Sequence, residues 1–344
     1  MKNILTTIQD LLHQRGELQA RLNLLPYDGS PEVKEQKGKR YIYIRKRIAS
    51  RLTSTYVDVY SDDLYQLLLR NARESRELKK KLRLLNKQLA QLGYTEEEIT
   101  PEVLLNIDFA RSNLKTSIYD QAILEGVATT FPQTEDIIEN GKVSGMRATD
   151  IQKILNLKHA WEFILDKDVI HAHSDYYLLC HIAKLVNEGF FADGGRIRGV
   201  PVTIGGTSYI PPLPVELTVK EEIQKILSKS SVEAGAAGSS NTDAKNNTLL
   251  PAATSSANSE AVIGTAIQLC LYCMRTQVFN DGNKRAAIIL ANHFLIAHGQ
   301  GILVIPSVHV PEFKKLLVHF YETNDAEEIE MFLKEHCWKR MEGY

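Results

Sequence analysis

The chain has 344 residues, of which 44% are hydrophobic and 24% charged, with 41 Lys and Arg against 42 Asp and Glu. Such a composition is that of a soluble globular protein, and the length allows two domains and a substantial core. A formal net charge of −1 gives no reason to expect nucleic acid or an anionic membrane as the main partner, and no apolar run approaches the roughly 20 residues that span a bilayer.

Gln9, Asp10, His13 and Gln14 near the start are foreign to a secretory signal. Residues 3–25 place Ile4, Ile8, Leu11, Leu12, Leu18, Leu22 and Leu25 at helical spacing, interrupted at Gly16. Pro26 to Pro31 then breaks the chain. Tyr41–Arg45 and Leu52–Tyr60 are rich in aromatic and β-branched residues and predict a small β-hairpin. The segment Lys37–Arg51 is basic; it reads as a solvated hairpin face, with nucleic acid as the other reading. From Asp63 to Leu92, Leu64, Leu67, Leu68, Leu78, Leu82, Leu85 and Leu89 recur at helical spacing among charged residues. This is a long amphipathic helix suited to coiled-coil pairing with the first helix, a partner or a second copy in a homo-oligomer. Residues 1–94 thus predict an N-terminal interaction module, and residues 95–344 a second domain.

Thr95 to Pro101 opens a new helical region. Ile118 to Gly126 reads as a helix ending at Glu125-Gly126, and Asp150 to Leu165 as another. His171, His173 and His181 have one acidic neighbour, Asp175, and read as packing or solvent-exposed residues rather than metal ligands. Cys270 and Cys273 form a C-x-x-C inside an apolar run without a second cluster; with Cys180 and Cys337 they read as core thiols in a reducing cytoplasm. Between Val200-Pro201 and Pro211-Pro212, the run Val202, Thr203, Ile204, Gly205, Gly206, Thr207, Ser208, Tyr209 predicts a hairpin about the two glycines. Ser228 to Glu260 turns abruptly to Ser, Ala, Gly, Asn and Thr and predicts a flexible insertion.

The most informative stretch runs from Gln277 to Ala287. An apolar helix precedes it (Ala261 to Arg275), and another, Ile288 to His298, follows and stops at Gly299. Asn280, Asp281, Gly282 and Asn283 suit a tight turn, and Gly282 allows close backbone approach to a ligand. Unpaired amides at the start of the second helix, its dipole, Lys284 and Arg285 together suit a phosphate. Asp281 is placed to hold a divalent cation on the same phosphates.

Phe279, Asp281, Gly282, Asn283, Lys284 and Arg285 match the signature H-x-F-x-D/E-G-N-G/K-R, and the stretch resembles that of the Fic/Doc (Fido) family. The resemblance covers about Asp108 to Trp338. It implies a mainly α fold, with a Fic-type helical core and a β-hairpin flap. It implies a nucleotidyltransferase that moves AMP from ATP, with Mg2+, to a protein hydroxyl (AMPylation); Lys284 is similar to the Doc branch, whose members phosphorylate. By the same resemblance Gly282, Asn283, Lys284 and Arg285 hold phosphates, Asp281 the magnesium, and residues 202–209 a protein target docked by strand addition. Glu125 matches an inhibitory helix, S/T-x-x-x-E-G/N, in which Gln121 stands at the hydroxyl position. Two departures matter: Gln277 replaces the catalytic histidine, and Ile288 replaces a second arginine that pairs with the inhibitory glutamate. A glutamine amide has no lone pair that titrates near neutrality, so it cannot act as a general base. The expectation is an ATP-binding Fic-domain protein with weak or absent transfer. The alternatives are a non-catalytic nucleotide- or peptide-binding protein and a Doc-like phosphotransferase.

Overall fold

The computed structural model describes residues 2–25, 27, 29–48, 51–94, 99–141, 145–236 and 256–341. The chain divides into two units, Met1–Glu97 with Ile138–Lys142, and Glu98–Ile137 with Val143–Tyr344.

In the first unit, α1 (Lys2–Leu24) precedes the strands β1 (Ser30–Gln36), β2 (Lys39–Ile48) and β3 (Arg51–Val59), and α2 (Asp62–Gln91) follows. The expected hairpin is β2–β3; β1 extends it to an antiparallel sheet of order β1-β2-β3. Ser30 and Pro31, expected in the break, begin β1 instead. Lys37 and Gly38, at φ 51° and 75°, turn β1 into β2 as a two-residue turn with positive φ at both positions. Ile42 and Ile44 face Leu64 and Leu68 of α2. Ser61 caps α2 by accepting Leu64 N, and α1 lies antiparallel along it, Arg15 meeting Asn86 at 2.8 Å and Arg21 meeting Glu74 at 3.0 Å. Gly16 does not interrupt α1. It is buried within the helix, where tertiary packing outweighs the roughly 1 kcal/mol that glycine costs relative to alanine.

The second unit contains α3 (Pro101–Ser112), α4 (Leu114–Leu124), most of α5 (Phe131–Asn140), α6 (Ala148–Ile164), α7 (Lys167–Ile170), α8 (Tyr176–Val186), α9 (Glu216–Ala236), α10 (Ser256–Thr276) and α11 (Asn283–Ala297). The pair β4 (Ile302–Leu303) and β5 (Trp338–Lys339) encloses α12 (Val310–Thr323) and α13 (Glu327–Phe332). Every residue of α11 except Lys284 and Ala297 is buried, so this helix is the axis on which α10, α8, α6 and α3 pack. Two of its buried polar side chains are fully bonded. Asn292 bonds both the amide and the carbonyl of Leu303, and His293 meets Ser174 Oγ and Val169 O, each at 2.8 Å.

Cys270 and Cys273 are buried free thiols; burial raises the Cys270 pKa well above its ordinary value and pushes Cys273 up to about 12. Both are inert core groups at neutral pH. Among the described residues, no helix is long and apolar enough to cross a membrane.

Two expectations need correction. The insertion expected over 228–260 is helical at both described ends: α9 continues to Ala236, and α10 begins at Ser256. Serine and alanine there extend helices that Ile223, Ile226, Val262 and Ile263 anchor in the core, while residues 237–255 lie outside the described ones. The flap, too, has no strand ladder. It is extended with a turn at Gly205-Gly206, and its side chains bond to the domain instead.

Candidate functional site

The loop between α10 and α11 is built by its own side chains. Gln277 follows the last turn of α10 with φ 50°, the left-handed conformation common just past a helix end. Its Nε2 donates to Met274 O at 2.6 Å, satisfying a carbonyl that the ending helix leaves free. Its Oε1 accepts from Asn283 Nδ2 at 3.0 Å. Val278 and Phe279 are buried and fix the loop to the core. Asn283 folds back on Phe279, accepting its amide and donating to its carbonyl, each at 2.8 Å.

Gly282 opens α11 at φ 77°. A Cβ there would lie 2.8 Å from Asn187 Oδ1, so the glycine is required by conformation and by packing alike. The first backbone bond of α11 runs from Ala286 N to Gly282 O at 2.9 Å. The amides of Asn283, Lys284 and Arg285 consequently have no intrahelical acceptor. This helix start faces a cleft of about 580 Å³, bounded by Gln277 and Asp281 of the loop, Glu125 at the end of α4, flap residues 202–206, and Lys314 and Tyr321 of α12.

The residues expected to hold phosphate divide into two groups. Gly282, Asn283, Lys284 and Asp281 line the cleft. Arg285 does not; it is 1% exposed, its Nη1 donates to Val186 O at 2.7 Å, and its Nη2 reaches Asn187 Oδ1 at 3.3 Å and Asp281 Oδ2 at 3.1 Å. Asn283 lends the cleft its backbone, because its side-chain amide is committed to the loop.

Glu125 lies over the helix start. One carboxylate oxygen is 3.5 Å from Lys284 Nζ and the other 3.6 Å from Arg285 Nε. Glu125 Oε1 and Arg285 Nε are both buried without a hydrogen bond; Oε1 faces Lys284 and Oε2 faces Arg285 as ion pairs longer than a hydrogen bond. The helix dipole adds to this attraction. Ile288, one turn further along α11, faces Gln121, Leu124 and Trp161 around a void of about 10 Å³. An arginine at that position would enter an apolar wall. Gln121 bridges three helices there, donating to Arg285 O and accepting from Trp161 Nε1, each at 3.1 Å.

The flap is held at its base and along its return. Arg198 is 2% exposed; its Nε donates to Gln277 O at 2.5 Å, Nη1 to Val200 O at 2.9 Å, and Nη2 to Pro211 O and Pro212 O. A single guanidinium thus ties both ends of the flap to the loop. Glu322 of α12 accepts from Thr207 Oγ1, Ser208 N and Ser208 Oγ, and these bonds hold its carboxyl below the usual range. Tyr209 stacks on Tyr321 and is covered by the Arg275 guanidinium at 4.4 Å.

Asn187, Arg198, Glu322 and Tyr321 are parts of the site that sequence reasoning missed. Asn187 is the clearest: it donates to Asp281 O at 2.9 Å and Gly194 O at 3.2 Å while accepting from Arg285. Its only local signal is an asparagine directly after an apolar helix.

A family model, described as a domain of unknown function (DUF6788), matches residues 4–66. Comparison with curated proteins finds no match. Among solved structures, the chain is similar to Fic-1 from C. elegans, with 18% identity over 80% of this chain and 76% of that one and a TM-score of 0.50. A Fic-domain-containing signalling protein from Bacteroides thetaiotaomicron also matches, with 18% identity, coverage of 72% and 89%, and a TM-score of 0.47. The fold is mainly α and of the Fic type.

Proposed function

We propose that this chain is a Fic-domain protein that binds ATP or a related nucleotide in the cleft at the start of α11, and that it transfers AMP to a protein hydroxyl weakly or not at all. One observation carries the reading: Glu125 sits as an internal anion over the α11 start, facing Lys284 and a buried Arg285 Nε that has no hydrogen bond. A phosphate is the external ligand that answers that charge and those donors.

Magnesium fits this donor set in one way. Asp281 supplies a single half-exposed carboxylate, one oxygen of which meets Arg285. Among the described residues no group of three metal-ligating side chains occurs. That supports an ion shared between Asp281 and ligand phosphates, which is the usual magnesium mode, rather than an all-protein cage. When bound, it would neutralise phosphate charge.

On this reading, the chain's own residues keep transfer weak or absent. Gln277 lines the cleft beside the flap, yet its amide nitrogen and oxygen are engaged by Met274 and Asn283. It positions; it does not take a proton. The same engagement favours, as a second reading, a protein that binds nucleotide or peptide without turnover. Transfer assays with α- and γ-labelled ATP separate the readings: slow α-label transfer supports a nucleotidyltransferase, γ-label transfer a Doc-like phosphotransferase. Calorimetric binding without any transfer supports the non-catalytic protein, and absence of binding refutes the nucleotide site.

A further inference from the structure

The whole-chain charge of −1 averages two unlike parts. Residues 1–97 carry 19 Lys and Arg against 12 Asp and Glu, while the remainder carries 22 against 30. The excess centres on the three-stranded sheet, where residues 30–59 hold eight Lys and Arg against three Asp and Glu. A sign asymmetry of this kind directs attention to an anionic partner of the first unit alone.

Strand alternation separates the two faces of the sheet. Ile42 and Ile44 turn to α2, so Tyr41, Tyr43 and Arg45 occupy the opposite face. On that face the register sets Tyr56 of β3 beside Tyr43, and Lys34 of β1 beside Tyr41. Tyr43 and Tyr56 pack edge to face with centroids 5.7 Å apart, Tyr41 stands 6.2 Å from Tyr56, and Lys34 Nζ lies 4.5 Å from the Tyr43 ring centre. Tyr56 is 51% exposed, and Lys39 and Arg45 are exposed on either side of the tyrosines. Cross-strand packing explains contacts among the rings, and Glu32 at 3.8 Å and Ser54 at 2.9 Å account for Lys34, but neither explains Lys39 and Arg45 beside the rings or an open ring in solvent.

We propose that this face binds a single-stranded nucleic acid, with bases stacking on Tyr56 and its neighbours and phosphates meeting Lys34, Lys39 and Arg45. The choice of partner follows from shape and chemistry. Reading a duplex takes an element that enters a groove, whereas an open sheet bearing aromatic rings stacks only unpaired bases. An anionic membrane or acidic protein would meet the same cations but would leave the ring faces without a partner. This proposal concerns the first unit and is independent of the phosphate cleft.

Fluorescence anisotropy with the full chain tests it, using labelled oligouridylate and oligothymidylate of about 20 nucleotides, the matching duplex, and anionic phospholipid vesicles as competitor. Single strands should bind at least about tenfold tighter than duplex, and Tyr56→Ala should weaken binding about fivefold or more. The double variant Lys39→Ala/Arg45→Ala should lower the salt slope of log affinity by about 1.4. The cation variant should melt with the parent, while Tyr56→Ala should stay folded and melt only a few degrees lower through its lost ring contacts; a preference for RNA or for DNA supports the proposal and identifies the sugar. Equal binding of duplex, full affinity in Tyr56→Ala, preferential capture by vesicles, or no binding at low salt would overturn it.

Discussion

Asn283, the first residue of α11, donates its side-chain amide to Gln277 Oε1 across 3.0 Å, six positions back along the chain. The same group bonds Phe279 O, and its Oδ1 accepts Phe279 N. One buried side chain therefore closes the loop and turns residue 277 toward the cleft. Replacing the residue at 277 alters the cleft's chemistry and the loop's closure together.

Gln277→His is expected to raise AMP transfer at least about tenfold over a negligible parent rate, since a positioned base contributes about 10²–10⁴-fold. It should also lower stability by about 1–2 kcal/mol, through the bonds to Met274 and Asn283 that the amide makes. Label transfer and urea unfolding measure the two effects separately. A robust parent rate that the histidine does not raise would show that another group serves as the base.

Glu125→Ala should tighten ATP binding about tenfold, a coupling of ordinary size for a competing contact. Lys284→Ala should weaken it about fivefold, because this cation lines the cleft and is partly exposed. Calorimetry of both variants checks the pair. Arg285→Ala is the poorer probe, since its guanidinium holds Val186 and Asn187 and its loss would disturb the fold first. Unchanged affinity in Glu125→Ala would reduce that residue to a helix end.

Asn187→Ala should destabilise the second unit by about 2–4 kcal/mol, because it strands Asp281 O, Gly194 O and part of the Arg285 guanidinium in the interior. Gly282→Ala should cost about 1–3 kcal/mol through its φ of 77° and the 2.8 Å approach to Asn187 Oδ1. Urea midpoints report both. A neutral Asn187→Ala would show that the loop holds its shape without the bridge.

Flap anchoring should depend on pH through Glu322. Hydrogen bonds from Thr207 and Ser208 lower its folded pKa, so their contribution is complete above the ordinary glutamate value and is lost as pH falls through the depressed folded value. Hydrogen exchange at the Ser208 amide, corrected for intrinsic rate, should accelerate on acidification through that window. Glu322→Gln should exchange fast at neutral pH and show little further change. Identical protection in parent and variant would place the anchor elsewhere, with Arg198 and Tyr209 the remaining holds.

The sequence alone determined what depends on neighbours in the chain. The α10–loop–α11 unit was legible because its apolar runs, its turn residues and the glycine at φ 77° act over a few positions. The same locality made α2 readable from its leucine spacing and the β2–β3 hairpin from its β-branched and aromatic runs. Tertiary structure decided which polar groups of the motif face a ligand. Arg285 and Lys284 are adjacent and equally cationic in sequence, yet one is sealed against Val186 and Asn187 and the other opens on the cleft. It also turned the expected flap hairpin into an extended segment, because Arg198 and Glu322 offer its backbone and hydroxyls better partners than its own two arms do. Those partners lie far from the residues they hold, with Asn187 94 positions from Asp281 and Glu322 114 from Ser208. A side chain's direction is set by what packs against it, and over such separations only the folded core brings the packing surfaces together.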